Sequence, residues 1–225
     1  MPSEYEILID SLVSDGYLKT PYLIEAFKKT NRADFVLNEY EKDAYVNAPL
    51  SIGYGQTISQ PLTVAFMIEL LQPKFGEKIL EIGAGSGWQT TILGQIVSSS
   101  QIISISNGEE IVGNIGKVFA TEIIPELYEM AEKNVSKYNF IEKGIVKIIL
   151  SDGSKGYKNE TPFDKIIACA ASEVDVPKAW KQQLKIGGRI VSPIGNSIVV
   201  IDKISKTEFS KKEYFGFKFV PLVKE

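Results

Sequence analysis

The chain has 225 residues, 44% of them hydrophobic, with 25 basic and 28 acidic side chains for a net charge of −3. That length and balance suit a folded chain with its own core rather than a disordered one, and the mild acidity speaks against a dedicated nucleic-acid binder. One cysteine and no histidine exclude an intrachain disulfide, every His-ligated zinc site and every catalytic dyad or triad built on imidazole.

The acidic start, MPSEYEILID, lacks the basic-then-apolar layout of a secretory signal. No apolar run approaches the ~18 residues that cross a bilayer. The expectation is a cytoplasmic monomer without membrane or nucleic-acid partners.

In chain order, Ile7, Leu8, Leu12 and Val13 recur at helical spacing and end near Gly16. Thr20-Pro21 opens a second helix with Leu23, Ile24 and Phe27 on one face. Residues 41–60 lose periodicity and fill with turn formers (Asn47, Pro49, Gly53, Gly55), which predicts a long irregular loop of functional rather than structural use. Pro61 to Leu71 reads as an apolar helix and Lys78 to Ile82 as a buried strand. A glycine turn follows, then a helix from Trp88 to about Ile96. Ser98 to Gly113 resists assignment and reads as an insertion, a projecting hairpin.

Further strands are expected at Lys117–Thr121, Ile145–Leu150, Lys165–Ala170 and Arg189–Pro193, with helices opening at Pro125 and at Pro177; the latter stops at Gly187-Gly188. Apolar strands alternating with helices predict a parallel sheet covered on both faces. The tail reads as two antiparallel edge strands, IVVIDKIS and YFGFKFVPL, around a charged turn from Lys206 to Glu213.

The strongest chemical signal is Ile79-Leu80-Glu81-Ile82-Gly83-Ala84-Gly85-Ser86-Gly87-Trp88. A strand ends in an acid and then in glycines at alternate positions, at the sheet edge where open α/β folds bind ligands. Trp88 stands where the nicotinamide fingerprint needs its third glycine, so that reading fails. E-x-G-x-G-x-G is instead the pattern of S-adenosylmethionine methyltransferases, and an acidic strand end suits a cationic ligand. A tight strand-to-helix turn is the plainer reading. Glu122, closing the next strand, suits ribose hydroxyls or, equally, a helix's first turn. Ser151-Asp152-Gly153 offers an acid to an adenine amino group or a simple turn. On spacing alone Thr57-Ile58-Ser59-Gln60-Pro61 is a helix start, with Thr57 and Gln60 as a capping box or Ser59 as the cap. Cys169 reads as a small core residue.

The stretch AYVNAPLSIGYGQTISQP closely resembles the signature of protein-L-isoaspartate O-methyltransferases. Arg32-Ala33-Asp34-Phe35-Val36, Leu80 to Gly87, Phe163 to Ile166, Gly187 to Gly195 and Phe217 to Leu222 resemble their other motifs. The resemblance implies an α/β, doubly wound Rossmann-like methyltransferase sheet, mostly parallel, with an antiparallel C-terminal edge and N-terminal helices packed on it. It implies one domain over residues 1–225: helices and substrate loop in 1–75, a cofactor-binding core in 76–197 and closing strands in 198–225.

It further implies methyl transfer from S-adenosylmethionine, giving S-adenosylhomocysteine, to the free α-carboxylate of L-isoaspartyl residues in damaged proteins and peptides, with no metal. Ser59 takes the position of the active-site serine; Gly53, Gln56, Thr57, Ile58 and Gln60 frame the substrate; Glu81, Gly83, Gly85, Gly87, Glu122, Asp152 and Gly153 line the cofactor pocket. The protein would act as a monomer. The alternative is a related methyltransferase acting on a small molecule or RNA. Asn47 departs from the family's usual Asp, and the Ser98–Gly113 insertion has no counterpart.

Overall fold

The computed structural model describes residues 2–99, 102–106, 109–112 and 114–224. Two helices open it, α1 (Glu4–Ser14) and α2 (Pro21–Lys28). Ser3 caps α1 in a reciprocal box with Glu6, and Pro21 starts α2 where its missing N–H costs nothing. Short 3-10 turns at Arg32–Phe35 and Asn38–Asp43 lead into β1 (Leu50–Gly53) and β2 (Gln56–Ile58). These two strands pair antiparallel, so the expected irregular loop is in fact a small hairpin. Its turn, Tyr54-Gly55, has both φ angles positive, the conformation that matches strand twist. Tyrosine hides that signal in the sequence because asparagine or glycine normally supplies it.

Next come α3 (Pro61–Leu71), β3 (Lys78–Ile82) and α4 (Trp88–Ser98). β4 (Ile102–Ser106) and β5 (Glu109–Val112) pair antiparallel as a separate two-stranded sheet, the hairpin expected of the insertion; residues 100, 101, 107, 108 and 113 lie outside the described set. Then follow β6 (Lys117–Glu122), α5 (Pro125–Ser136), β7 (Val146–Leu150), β8 (Phe163–Ala168) and α6 (Lys178–Gln183). The last elements are β9 (Leu184–Ile194), β10 (Ser197–Lys203) and β11 (Phe209–Phe215).

Seven strands form the main sheet in the order β11-β10-β9-β8-β3-β6-β7. β9, β8, β3, β6 and β7 run parallel, and β10 lies antiparallel to both β9 and β11. Alternation along single strands divides the core. Val118 and Ala120 face the cluster shared with α1 to α5, while Phe119 faces the cluster with Trp180 of α6. Ile167 and Ile166 split in the same way. A strand sealed on both faces needs apolar residues throughout, and that continuity is what makes these segments legible.

Three expectations are corrected. β9 begins at Leu184, not Arg189, because Gly187-Gly188 lies inside the strand, where Gly187 (φ +81°) absorbs a register shift against β8. A Cβ on Gly188 would lie 2.8 Å from the Asp164 carbonyl oxygen. The supposed charged turn is largely β11 itself: it is an edge strand whose Ser210 to Glu213 face solvent, as edge strands with lysines commonly do. β11 stops at Phe215 because Gly216 (φ +105°) redirects the chain. Residues 217–222 then return across the sheet, where Ala171 N–H donates to the Val220 carbonyl and Leu222 N–H to the Ala171 carbonyl, both at 2.8 Å.

Candidate active site

The parallel strands end together at their carboxyl edge, and the turn after β3 forms the floor of the site. Gly83 (φ +86°) and Gly85 (φ +54°) adopt conformations that favour glycine. Both Gly83 and Ala84 N–H donate to the Thr121 carbonyl of β6, which fixes the turn against its neighbouring strand. Gly87 (φ +88°) precedes α4 and packs against α5, where a Cβ would approach Val135 Cγ2 to 2.9 Å.

Two buried acids flank this turn. Glu122, the last residue of β6, accepts from Gly85 N–H at 2.9 Å through Oε2, and from Ile123 and Ile124 N–H at 2.9 and 3.1 Å through Oε1. It lies three residues before α5, so it is a strand-end group and not a first-turn acid. A carboxylate offers about four lone-pair sites, so three amides leave room for one hydroxyl donor.

Glu81 is fully buried beneath the turn. Its Oε1 accepts from Gln89 Nε2 at 2.9 Å, with the Cys169 thiol at 3.8 Å, while Oε2 has no partner among the described residues. Burial raises its pKa from the usual carboxylate range to about 7, against the opposing pull of the Thr90 hydroxyl, Gln89 and Cys169. The Thr90 hydroxyl, itself buried without another partner, stands near this carboxyl.

One cavity of about 320 Å³ joins the turn to the hairpin, within the usual size range of small-molecule sites. Gln56, Thr57, Ser59 and Gln60 line one side; Gly83, Gly85, Glu122 and Gly153 line the other. Gly153 is a close-packing position, since a Cβ there would lie 2.6 Å from both Ile82 Cγ2 and Thr121 Oγ1. The remaining residues singled out in the sequence stand back from this wall. Gly53 belongs to the hairpin bend, Ile58 is buried in the core, and Gly87 and Glu81 support from below. Asp152 borders a neighbouring cavity with Leu150 and Tyr157, and its Oδ1 accepts from Ser154 N–H at 2.8 Å.

Of the helix-start reading of Thr57 to Pro61, the start at Gln60-Pro61 holds and the capping roles of Thr57, Ser59 and the Gln60 side chain do not. Thr57 is in β2, the N-cap of α3 is Gln60, and no side chain from this segment caps the helix. The cap comes from Asn47, whose Oδ1 accepts from Leu62 N–H at 3.0 Å while its carbonyl accepts from Gln60 Nε2. Ser59 is half-buried and lines the cavity, and its hydroxyl makes no hydrogen bond among the described residues. Cys169 also departs from expectation: it lies just past β8 and lines the cavity.

Sequence reasoning missed one wall altogether. Phe219, Val220, Pro221 and Leu222 also line the cavity. Their apolar run looked like a strand, and only Gly216 hinted that it is not one.

The family model for protein-L-isoaspartate(D-aspartate) O-methyltransferase matches residues 3–225. The chain belongs to this family. It is 37% identical to a protein-L-isoaspartate O-methyltransferase of Methanopyrus kandleri over 224 residues, which covers 98% of this chain and 91% of the relative. It is 41% identical to protein-L-isoaspartate O-methyltransferase 2 of Archaeoglobus fulgidus over 201 residues, 88% of this chain and 83% of the relative. Among solved structures, a Plasmodium falciparum chain described as a protein-L-isoaspartate O-methyltransferase in complex with S-adenosyl-L-homocysteine superposes with a TM-score of 0.83. It shares 19% identity over the full length of both chains, a likeness of fold. Among the described residues no helix is long and apolar enough to cross a membrane, and no group of three or more acidic or cysteine side chains could hold a metal ion.

Proposed function

We propose that this protein transfers a methyl group from S-adenosylmethionine to the free α-carboxylate of L-isoaspartyl residues in damaged proteins and peptides. The observation that carries the reading is the shared cavity: Ser59 of the family's Q-T-I-S segment and the Gly83–Gly85 turn line one space. Family membership and the ligand of the Plasmodium relative support the same choice of cofactor.

The residues present suit that cofactor. Glu122 keeps acceptor capacity at the strand end, and Gly83 and Gly85 leave backbone open to a close ligand. When bound, S-adenosylmethionine supplies an electrophilic methyl group on a sulfonium centre.

The chain's own task is placement. An acceptor carboxylate is ionised at neutral pH, so no general base is needed, which accords with a chain lacking histidine. Ser59 Oγ–H donates to that carboxylate and orients it; Gln56, Thr57 and Gln60 frame the peptide around it. The wall from Phe219 to Leu222 keeps water from the reacting groups. Positioning of this kind is sufficient to account for several powers of ten in rate. A single cysteine accords with a reducing compartment, and on that ground we place the protein in the cytoplasm.

Incubation with methyl-labelled cofactor and two peptides that differ only in Asp or isoAsp tests the reading. Label is expected on the isoAsp peptide alone. Equal labelling of both, or of neither, overturns it.

A further inference from the structure

Arg32 has no solvent exposure, and among the described residues no carboxylate pairs with it. Its guanidinium donates only to backbone carbonyls. Nη1 reaches those of Ala44 at 2.8 Å and Val46 at 3.3 Å; Nη2 reaches those of Ala48 at 2.9 Å and Ser59 at 3.2 Å. Nε has no partner among the described residues. Burial lowers the pKa to about 10. A buried cation held by neutral groups, with one N–H left over, is a poor way to stabilise a core. Departures of that sort concentrate where function requires them.

The geometry says what is gained. Nη2 alone spans the entry to the hairpin at Ala48 and its exit at Ser59. Ser59 falls between the end of β2 and the N-cap of α3, so its carbonyl belongs to neither hydrogen-bond ladder. The bond from Arg32 therefore fixes the peptide plane after Ser59, and with it the direction in which the Ser59 side chain leaves the backbone. The same guanidinium lies 5.3 Å from the centre of the Trp88 ring. Trp88 is the first residue of α4, directly after the glycine turn, and its indole N–H is anchored on the Thr30 carbonyl at 3.2 Å. One side chain thus touches the acceptor loop and the helix that continues the donor turn.

We infer that Arg32 is a positioning residue for methyl transfer, holding Ser59 in register with the glycine turn through its bonds to the hairpin and its seat on Trp88. This rests on the function proposed above. Lysine cannot replace it, because a single ammonium cannot span four carbonyls or stack flat on an indole.

The experiment compares wild type, Arg32→Lys, Ser59→Ala and the double variant, with turnover expressed per cofactor-binding site counted by calorimetry. Arg32→Lys is expected to lower kcat per site by about 10- to 100-fold, the scale set by misplacement of about 1 Å. Cofactor Kd should stay within about twofold, and Ser59→Ala should cost several-fold less in the Lys background than in wild type, the signature of coupled residues. A purely structural arginine would lower melting temperature and the number of binding sites, leave kcat per site unchanged, and give losses that multiply; that result overturns the inference. If Arg32→Lys does not fold, Trp88→Phe replaces it, with a smaller loss of kcat and the same coupling to Ser59 expected, and multiplying losses again fatal. Wild type that fails to distinguish isoAsp from Asp would defeat the proposed function; wild type that succeeds without coupling would defeat this inference alone.

Discussion

The backbone N–H of Gly85 donates to Glu122 Oε2 at 2.9 Å, so the acid that ends β6 holds the turn that follows β3. Both oxygens of Glu122 are engaged by main-chain donors. Glutamine offers one acceptor oxygen and would turn an NH₂ group toward an amide N–H. Glu122→Gln is therefore expected to lower stability by about 1–3 kcal/mol, the cost of unsatisfied buried groups. Cofactor affinity should fall with it, measured by calorimetry against the melting curve of the unliganded protein.

Ser59→Ala separates orientation from binding. Ser59 lines the cavity, while its carbonyl, which Arg32 grips, is untouched by the substitution. Turnover of the isoAsp peptide should drop by about 10- to 100-fold, in line with the loss of one hydrogen bond to a charged group. Cofactor Kd should be unchanged within error. Unaltered turnover would remove the hydroxyl from the mechanism.

Glu81 predicts a pH dependence of stability. Its pKa is raised in the folded protein to about 7 from an ordinary value of 4.5, chiefly by burial. Between those values the native state holds a proton that the unfolded chain has released, so stability falls as pH rises from 4.5 toward 7. Below 4.5 the contribution is level, and above 7 the penalty is complete. The span corresponds to a few kcal/mol at most. Glu81→Gln should flatten urea-derived stability across this window and leave the protein more stable than wild type at pH 8. A parallel shift at every pH would contradict the assignment.

Gly153→Ala tests close packing at the cavity edge. The added methyl would lie 2.6 Å from Ile82 Cγ2 and from Thr121 Oγ1. Overpacking of this kind costs about 1–3 kcal/mol, and because Gly153 lines the cavity the loss should appear in cofactor affinity as well as in the melting temperature.

Asn47→Asp should be mildly favourable. The oxygen that accepts from Leu62 N–H near the start of α3 is retained, and a negative charge is added at the positive end of the helix. The expected gain is about 0.3–1 kcal/mol at low salt, reduced as salt rises. Thermal melts at two ionic strengths would check both parts.

How far the sequence could be read follows from how local each signal is. Pro61, Pro125, the glycine turn and the unbroken apolar strands mark their elements within a few residues, and those boundaries agree closely with the fold. The hairpin at Leu50–Ile58 escaped because Tyr54 occupies a left-handed turn position that normally announces itself with asparagine or glycine. Gly187-Gly188 looked like a stop because glycine pairs usually end elements, whereas here they carry a bulge within β9. The partners of Glu81 and of Arg32 could not be read at all. Gln89 is eight residues from Glu81 across a turn, and Trp88 is 56 positions from Arg32, so only the folded backbone brings them together.

The returning segment from Phe217 to Leu222 lines the cavity without belonging to the sheet. The sheet is complete once β11 has been made, yet one side of the cavity is still missing, because Phe219 to Leu222 follow that strand in the chain. A variant cut back to Gly216 would therefore keep every strand of the sheet yet leave that side of the cavity open, so enclosure of a ligand and stability of the scaffold can be lost separately.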